Sequence, residues 1–212
     1  MKIRTTHVAL AALAFAAAAP VHAQFYAGAS AGRSDVSIDR SKLADAFLDL
    51  GFTGASTTSS DTDTAYRAYA GYLFLPYLGV EAAYVDLGSF RFRSDVEPTG
   101  SLTGRPSIKG GELSLVGRVP IGERFAVYGR AGVFSARTTT RYTAAGSVEL
   151  IDGAERQRKK TNKPAYALGA SYDFTHSVGV RAEFARYTKL GDDLTGGQTD
   201  ANLVSIGLTY TF

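Results

Sequence analysis

LVSIGLTYTF, residues 203–212, has an apolar side chain at every even position: Val204, Ile206, Leu208, Tyr210 and Phe212. The odd positions hold Ser205, Gly207, Thr209 and Thr211, with Leu203 the one exception. Side chains of a β-strand point alternately to opposite faces, so this segment reads as a strand with one greasy face and one polar or small face. In a soluble sheet the greasy face would enter a core. Two features of the remaining chain argue for lipid instead: the alternation recurs, and the chain opens with an export signal.

That signal occupies residues 1–23. It starts with Lys2 and Arg4, continues with an apolar run over residues 8–19, and ends in Pro20, Val21, His22 and Ala23. A basic start, a short apolar run and a small residue at the end describe a secretory signal peptide, with cleavage expected before Gln24. Residues 24–212 then form one domain. Removing Lys2 and Arg4 from the 23 basic residues leaves 21 against 20 acidic ones, so the exported chain is nearly neutral and carries no footprint for nucleic acid. There is no cysteine, which excludes disulfides and thiolate metal sites. No apolar stretch after residue 23 is long enough for a membrane helix.

Alternating segments cover residues 25–33, 64–75, 78–92, 108–119, 124–137, 164–174, 178–189 and 203–212. Polar segments at 34–63, 93–106, 138–163 and 190–200 separate them on one side, and short turns at 76–77, 120–123 and 175–177 on the other. Within the first long loop, Leu43, Phe47 and Leu50 follow a helical spacing between Ser41 as N-cap and Gly51 as stop. Long and short connections in strict alternation, with an even number of strands, describe an outer-membrane barrel with short periplasmic turns and long outer loops. The expected fold is therefore all-β, an eight-stranded antiparallel up-and-down transmembrane β-barrel. Tyr72, Phe74, Tyr77, Tyr172, Phe174, Tyr210 and Phe212 fall near the short-turn ends, as an interfacial aromatic girdle does.

The strand charges Arg67, Glu81, Glu112, Arg118, Arg130, Arg181 and Glu183 all fall on the non-greasy face. Facing lipid at mid-bilayer, a basic side chain would cost about 2–4 kcal/mol. Facing inward they can pair, and a barrel of this size is just wide enough for side chains to fill. A packed lumen ion-pair network is expected.

Several segments, namely FYAGASAGR at 25–33, YAGYLFLPYLGVEAAYVDLG at 69–88, VPIGERFAVYGRAG at 119–132, VRAEFARY at 180–187 and the ending SIGLTYTF, resemble the transmembrane barrel of the outer membrane protein A family. The likeness extends over the exported chain apart from its loops. It implies interior salt bridges, Glu81 with Arg181 and Arg130 with Glu183. It also implies that Ser205, Gly207, Tyr210 and Phe212 form the signal read by the outer-membrane assembly machinery. A further Lys–Glu pair of the family, proposed there as a gate, is replaced here by Val116 and Ser171, so gating would need Arg118 as a substitute. The family's peptidoglycan-binding domain is not expected, since the sequence ends at Phe212.

The function expected is structural and surface-interacting, in contact with outer-membrane lipid and lipopolysaccharide, with a possible extracellular ligand at the long loops. The basic run Arg156, Arg158, Lys159 and Lys160 reads either as a solvated loop or as a contact for anionic lipopolysaccharide. One alternative is a narrow diffusion channel, if the inward Gly and Ala residues leave gaps. Another is a lipid-modifying enzyme or protease. That chemistry needs a base with a nucleophile or acid near the outer rim, but the one histidine after the signal, His176, falls in a periplasmic turn. No catalytic residue, cofactor or metal is expected. Asp192 with Asp193, and Asp61 with Asp63, are acidic pairs able to hold calcium only weakly.

Overall fold

The structure, a computed structural model, describes residues 24–36, 54–97, 100–146, 156–190 and 199–212. The segment expected as a signal, 1–23, the helical spacing expected around Leu43, Phe47 and Leu50, and Asp192 with Asp193 lie outside the described residues. In chain order the strands are β1 (Gln24–Val36), β2 (Gly54–Ser60), β3 (Thr62–Leu75), β4 (Leu78–Ser89), β5 (Arg91–Glu97), β6 (Gly100–Ile121), β7 (Phe125–Gly146), β8 (Arg156–Asp173), β9 (Val178–Leu190) and β10 (Thr199–Thr211).

Eight of them close a ring. The order β6-β4-β3-β1-β10-β9-β8-β7 runs antiparallel throughout, and a β6–β7 pairing joins the ends. The closing strand read first in the sequence pairs with β1 from Tyr26↔Thr211 to Val36↔Ala201. Closure removes every free edge within the membrane, where an unpaired amide could find no water. The staves β3 and β4 are prolonged by β2 and β5, which pair with each other and, through β5, with the upper part of β6. Asp61 and Phe90 interrupt these two staves. At the second break Gly88 adopts φ 88°, a left-handed conformation that suits glycine. The loosened amides there are taken up by carboxylates: Ser89 N–H donates to Asp63 at 2.6 Å and Gly88 N–H to Asp86 at 3.0 Å.

Two segments expected as loops turn out to be mostly ladder. β6 and β7 are 22 residues each and pair without a slip from Gly100↔Gly146 to Ile121↔Phe125. Most of 93–106 and 138–163, including the basic run, is therefore strand. Alternating hydrophobicity reports a strand with one buried or lipid-facing side. Above the membrane both sides can meet water, so the strand needs only a backbone partner and loses its greasy stripe. Thr138, Thr139 and Thr140, β-branched and at home on a pleated sheet, carry β7 through this region.

Polarity is inverted relative to a soluble protein. Leu168 is 72% exposed and Ile206 63%, whereas Arg67 is 3% and Glu81 1% exposed. The three-strand wall of β6, β7 and β8 shows the band in register, from Leu113↔Val133↔Pro164 down to Ile121↔Phe125↔Tyr172. Eight residues of strand rise about 26 Å, or about 20 Å along the axis at a tilt of about 40°, which with the aromatic rims at both ends matches the apolar band of about 25 Å of an outer-membrane barrel. Aromatic pairs rim the short-turn end: Phe25 with Tyr72 at 4.6 Å between ring centroids, Tyr172 with Phe174 at 5.4 Å, and Tyr210 with Phe212 at 5.0 Å. Tyr66, Tyr84 and Tyr166 are the exposed aromatics toward the opposite rim.

Candidate functional site: the closed lumen

Each inward charge is set by strand alternation, because its neighbours in sequence face lipid. Arg67 comes from β3, Glu81 from β4, Glu112 from β6, Arg130 from β7, and Arg181 with Glu183 from β9. These three arginines and three glutamates form an alternating cycle. Arg181 Nη1 lies 2.7 Å from Glu81 Oε2, and Glu81 also binds Arg67. Arg67 Nε is 4.0 Å from Glu112 Oε2, and Glu112 contacts Arg130. Arg130 grips Glu183 with two donors, Nε at 3.0 Å and Nη2 at 2.7 Å, and Glu183 returns to Arg181 at 3.5 Å.

A second set of donors completes the carboxylates. Tyr26 donates its hydroxyl to Glu81 at 2.9 Å, Tyr128 to Glu183 at 3.0 Å, and Tyr187 to Glu112 at 3.2 Å. Ser114 adds a 2.6 Å bond to Glu112. Ring faces cover the cations as well, with the Arg181 guanidinium 4.1 Å from the Tyr128 centroid and 4.7 Å from that of Tyr69. Three positive and three negative groups, each hydrogen-bonded, make a neutral cluster. Only such an arrangement offsets the cost of stripping water from six charges.

The inward glycines do not leave gaps. Tyr26 sits across from Gly71, Tyr69 across from Gly28, and Tyr128 across from Gly169. A Cβ at any of these glycines would overlap the facing tyrosine ring. The missing side chains are the space that the rings occupy.

On the long-loop side of the cycle lies a layer that the sequence reading missed. Val36, Val85, Leu87, Phe90, Ile108, Phe134, Tyr187, Leu190 and Leu203 are all buried inside the barrel and form one apolar cluster. Phe134 and Tyr187 pack with their ring centroids 4.8 Å apart and their planes tilted by 54°. The signal was present in residues 203–212: Leu203, the exception to the alternation, is 1% exposed within this plug. On the short-turn side, Tyr26, Leu73, Val116, Arg118, Ser171, Asp173 and Arg181 line a cavity of about 60 Å³, enough for a few waters.

Arg118 stands apart from the other inward charges. Its Nη2 pairs with Asp173 at 2.8 Å near the mouth of this cavity, and its side chain keeps 28% exposure. It lies one step of alternation too close to the short turns, and Asp173, passed over in the sequence, is its partner. The positions Val116 and Ser171 line the same cavity and carry no charge. Ser205 and Gly207 face inward against Gly32 and Ser30, whereas Tyr210 and Phe212 face out at the aromatic rim. His176 is exposed in the turn at 174–177. Among the described residues no group of three or more His, Cys, Asp or Glu is arranged to hold a metal.

A closed antiparallel barrel of eight staves with lipid-facing apolar rows, a rim of aromatics and charges turned inward is an outer-membrane barrel. The chain belongs to the OmpA-like transmembrane domain family, whose family model matches residues 20–212. It is 29% identical over 208 residues to outer membrane protein A of Salmonella typhi, covering 97% of this chain and 53% of that protein. Against outer membrane protein P5 of Haemophilus influenzae it is 30% identical over 186 residues, covering 86% and 49%. The chain thus spans about half the length of the curated relatives it matches. Among solved structures, Neisserial surface protein A superposes with a TM-score of 0.55 at 16% identity, covering 89% of this chain and 97% of that one. OprG of Pseudomonas aeruginosa superposes with a TM-score of 0.50 at 17% identity, covering 90% and 95%. These two likenesses show the fold. The protein resides in the outer membrane, with lipid against its outward rows.

Proposed function

We propose that this barrel is a sealed, non-catalytic structural element of the outer membrane. In this reading its tall hairpins present a surface to lipopolysaccharide and to partners outside the cell. The observation that carries it is the double closure of the lumen. The cycle of Arg67, Glu81, Glu112, Arg130, Arg181 and Glu183 blocks the middle, and the apolar plug around Phe134 and Leu203 blocks the space beyond it. An ion crossing would have to break the charge pairs and then enter a dry hydrocarbon layer. In this reading Arg118 does not act as a gate, because that side chain is held by Asp173. The C-terminal strand, with Ser205 and Gly207 turned inward and Tyr210 and Phe212 outward, is proposed as the segment recognised by the assembly machinery.

Planar-bilayer recording on folded, heat-modifiable protein tests the seal. No reproducible conductance steps are expected; steady unitary conductance from the unmodified chain would refute the reading.

A further inference from the structure

The outward face of β6, β7 and β8 continues above the lipid-facing band as a three-by-three grid of cross-strand neighbours. Its rows are Lys109↔Arg137↔Lys160, Ser107↔Thr139↔Arg158 and Arg105↔Arg141↔Arg156. Seven of the nine positions are basic, and the other two are hydroxyls. All seven basic side chains are exposed. The parity is the same that turns Leu113, Val133 and Tyr166 toward lipid, so the grid stands directly over the membrane surface. A single row of small and polar residues, Gly111, Ser135 and Asn162, separates it from the first apolar row. The lowest basic row is four residues beyond Leu113, about 10 Å along the axis, the depth at which headgroup phosphates lie.

Like charges directly opposite one another across a strand pair are destabilising. Two full rows of this wall consist of such pairs, which the fold alone does not require. One carboxylate answers them among the described residues: Asp86 of β4 pairs with Lys109 at 2.7 Å. The described parts of β6, β7 and β8 above the band carry no acidic residue on the outward face. The neighbouring and opposite strands are different. On β9, beside β8, Arg186 pairs with Asp200 of β10, and across the barrel on β1 Arg33 donates to Thr62 at 2.9 Å beside Asp35. The basic excess is local, it is at headgroup height, and it spans about 10 Å by 13 Å, the size of one multiply phosphorylated headgroup.

We infer that the β6–β8 grid, centred on Arg137, Arg141, Arg158 and Lys160, is a binding site for the phosphate groups of lipopolysaccharide in the outer leaflet. Guanidinium groups suit this task, since each offers a fork of donors to phosphate oxygens. The inference rests on the proposed membrane-embedded, sealed barrel and adds a defined lipid site to it.

The test uses the folded chain in zwitterionic nanodiscs, with the fold checked by heat-modifiable mobility so that loss of the barrel is distinguished from loss of the site. Purified lipopolysaccharide is titrated against the unmodified chain, a combined R137S/R141S/R158S/K160S variant, and an R33S/R186S control that removes two cations outside the grid, on β1 and β9. The grid variant should bind at least about tenfold more weakly, and the control should match the unmodified chain. Dephosphorylated lipopolysaccharide should not distinguish the three proteins, and millimolar inorganic pyrophosphate should not displace the lipid. In zwitterionic lipid the grid variant should be at least as heat-stable as the unmodified chain, because it loses like-charge pairs; with lipopolysaccharide present the order should reverse. Equal binding by the grid variant, equal loss in the control, or undiminished discrimination on dephosphorylated lipid would overturn the inference. Grid-dependent binding of heparin without binding of lipopolysaccharide would overturn it too, by assigning the surface to a soluble polyanion.

Discussion

The barrel handles charge in two opposite ways. Inside, three arginines and three glutamates are matched one for one, with tyrosine hydroxyls completing the carboxylates. On the outer wall of β6–β8, seven cations stand in register with one paired carboxylate among the described residues, near their lower corner. The difference follows from solvent. An unmatched charge in the dry lumen would cost several kcal/mol, whereas at the headgroup surface water and mobile ions make it tolerable.

Breaking the inner arrangement should have the largest effect. Arg130→Ala strips Glu183 and Glu112 of a shared partner and should lower stability by about 3–5 kcal/mol in urea unfolding from lipid. Leu203→Ala opens the plug and should cost about 2–5 kcal/mol in the same assay. Gly71→Ala drives a methyl against the Tyr26 ring, and about 1–3 kcal/mol is expected from the overpacking. On the outer wall the sign changes. Arg141→Ser, alone and in zwitterionic lipid, should be neutral or stabilising by at most about 1 kcal/mol, since it relieves like-charge contacts with Arg105 and Arg156.

The smallest effect belongs to the balanced wall. Asp200 is held below the usual carboxylate range by the Lys189 N–H and the Arg186 guanidinium. Its folded pKa is therefore depressed, so its contribution is present above about pH 4 and lost as the pH falls through the lower folded value. Asp200→Asn should erase that acid-range dependence at a cost under about 1 kcal/mol, read as the difference between thermal midpoints at pH 3 and pH 7.

The membrane-spanning half of the fold was legible because lipid on one side and packed lumen on the other impose a strict alternation, as in residues 203–212. The inward charges were legible for the same reason. Two things were not. The tall upper strands, 100–106 and 138–146 among them, carry no apolar stripe, so their polar composition looked like loop. The plug was hidden because Phe134 and Leu203 sit at inward positions whose inward neighbours along the same strands are small, Gly132 and Ala136 for the first, Ala201 and Ser205 for the second. A single strand shows each as an isolated exception, and only closure of the ring brings them together. Arg118 illustrates the limit of parity: alternation gives the face, but height along the strand decides the partner.

Whether the inner charges meet in a dry, closed space is measured directly by a double-mutant cycle on Arg130→Met and Glu183→Leu. Each single change should cost about 3–5 kcal/mol, the double change should recover more than half of the combined loss, and 1 M salt should leave the coupling nearly unchanged. A coupling of a few tenths of a kcal/mol that disappears in salt would mean a wet, open lumen and would refute the sealed barrel.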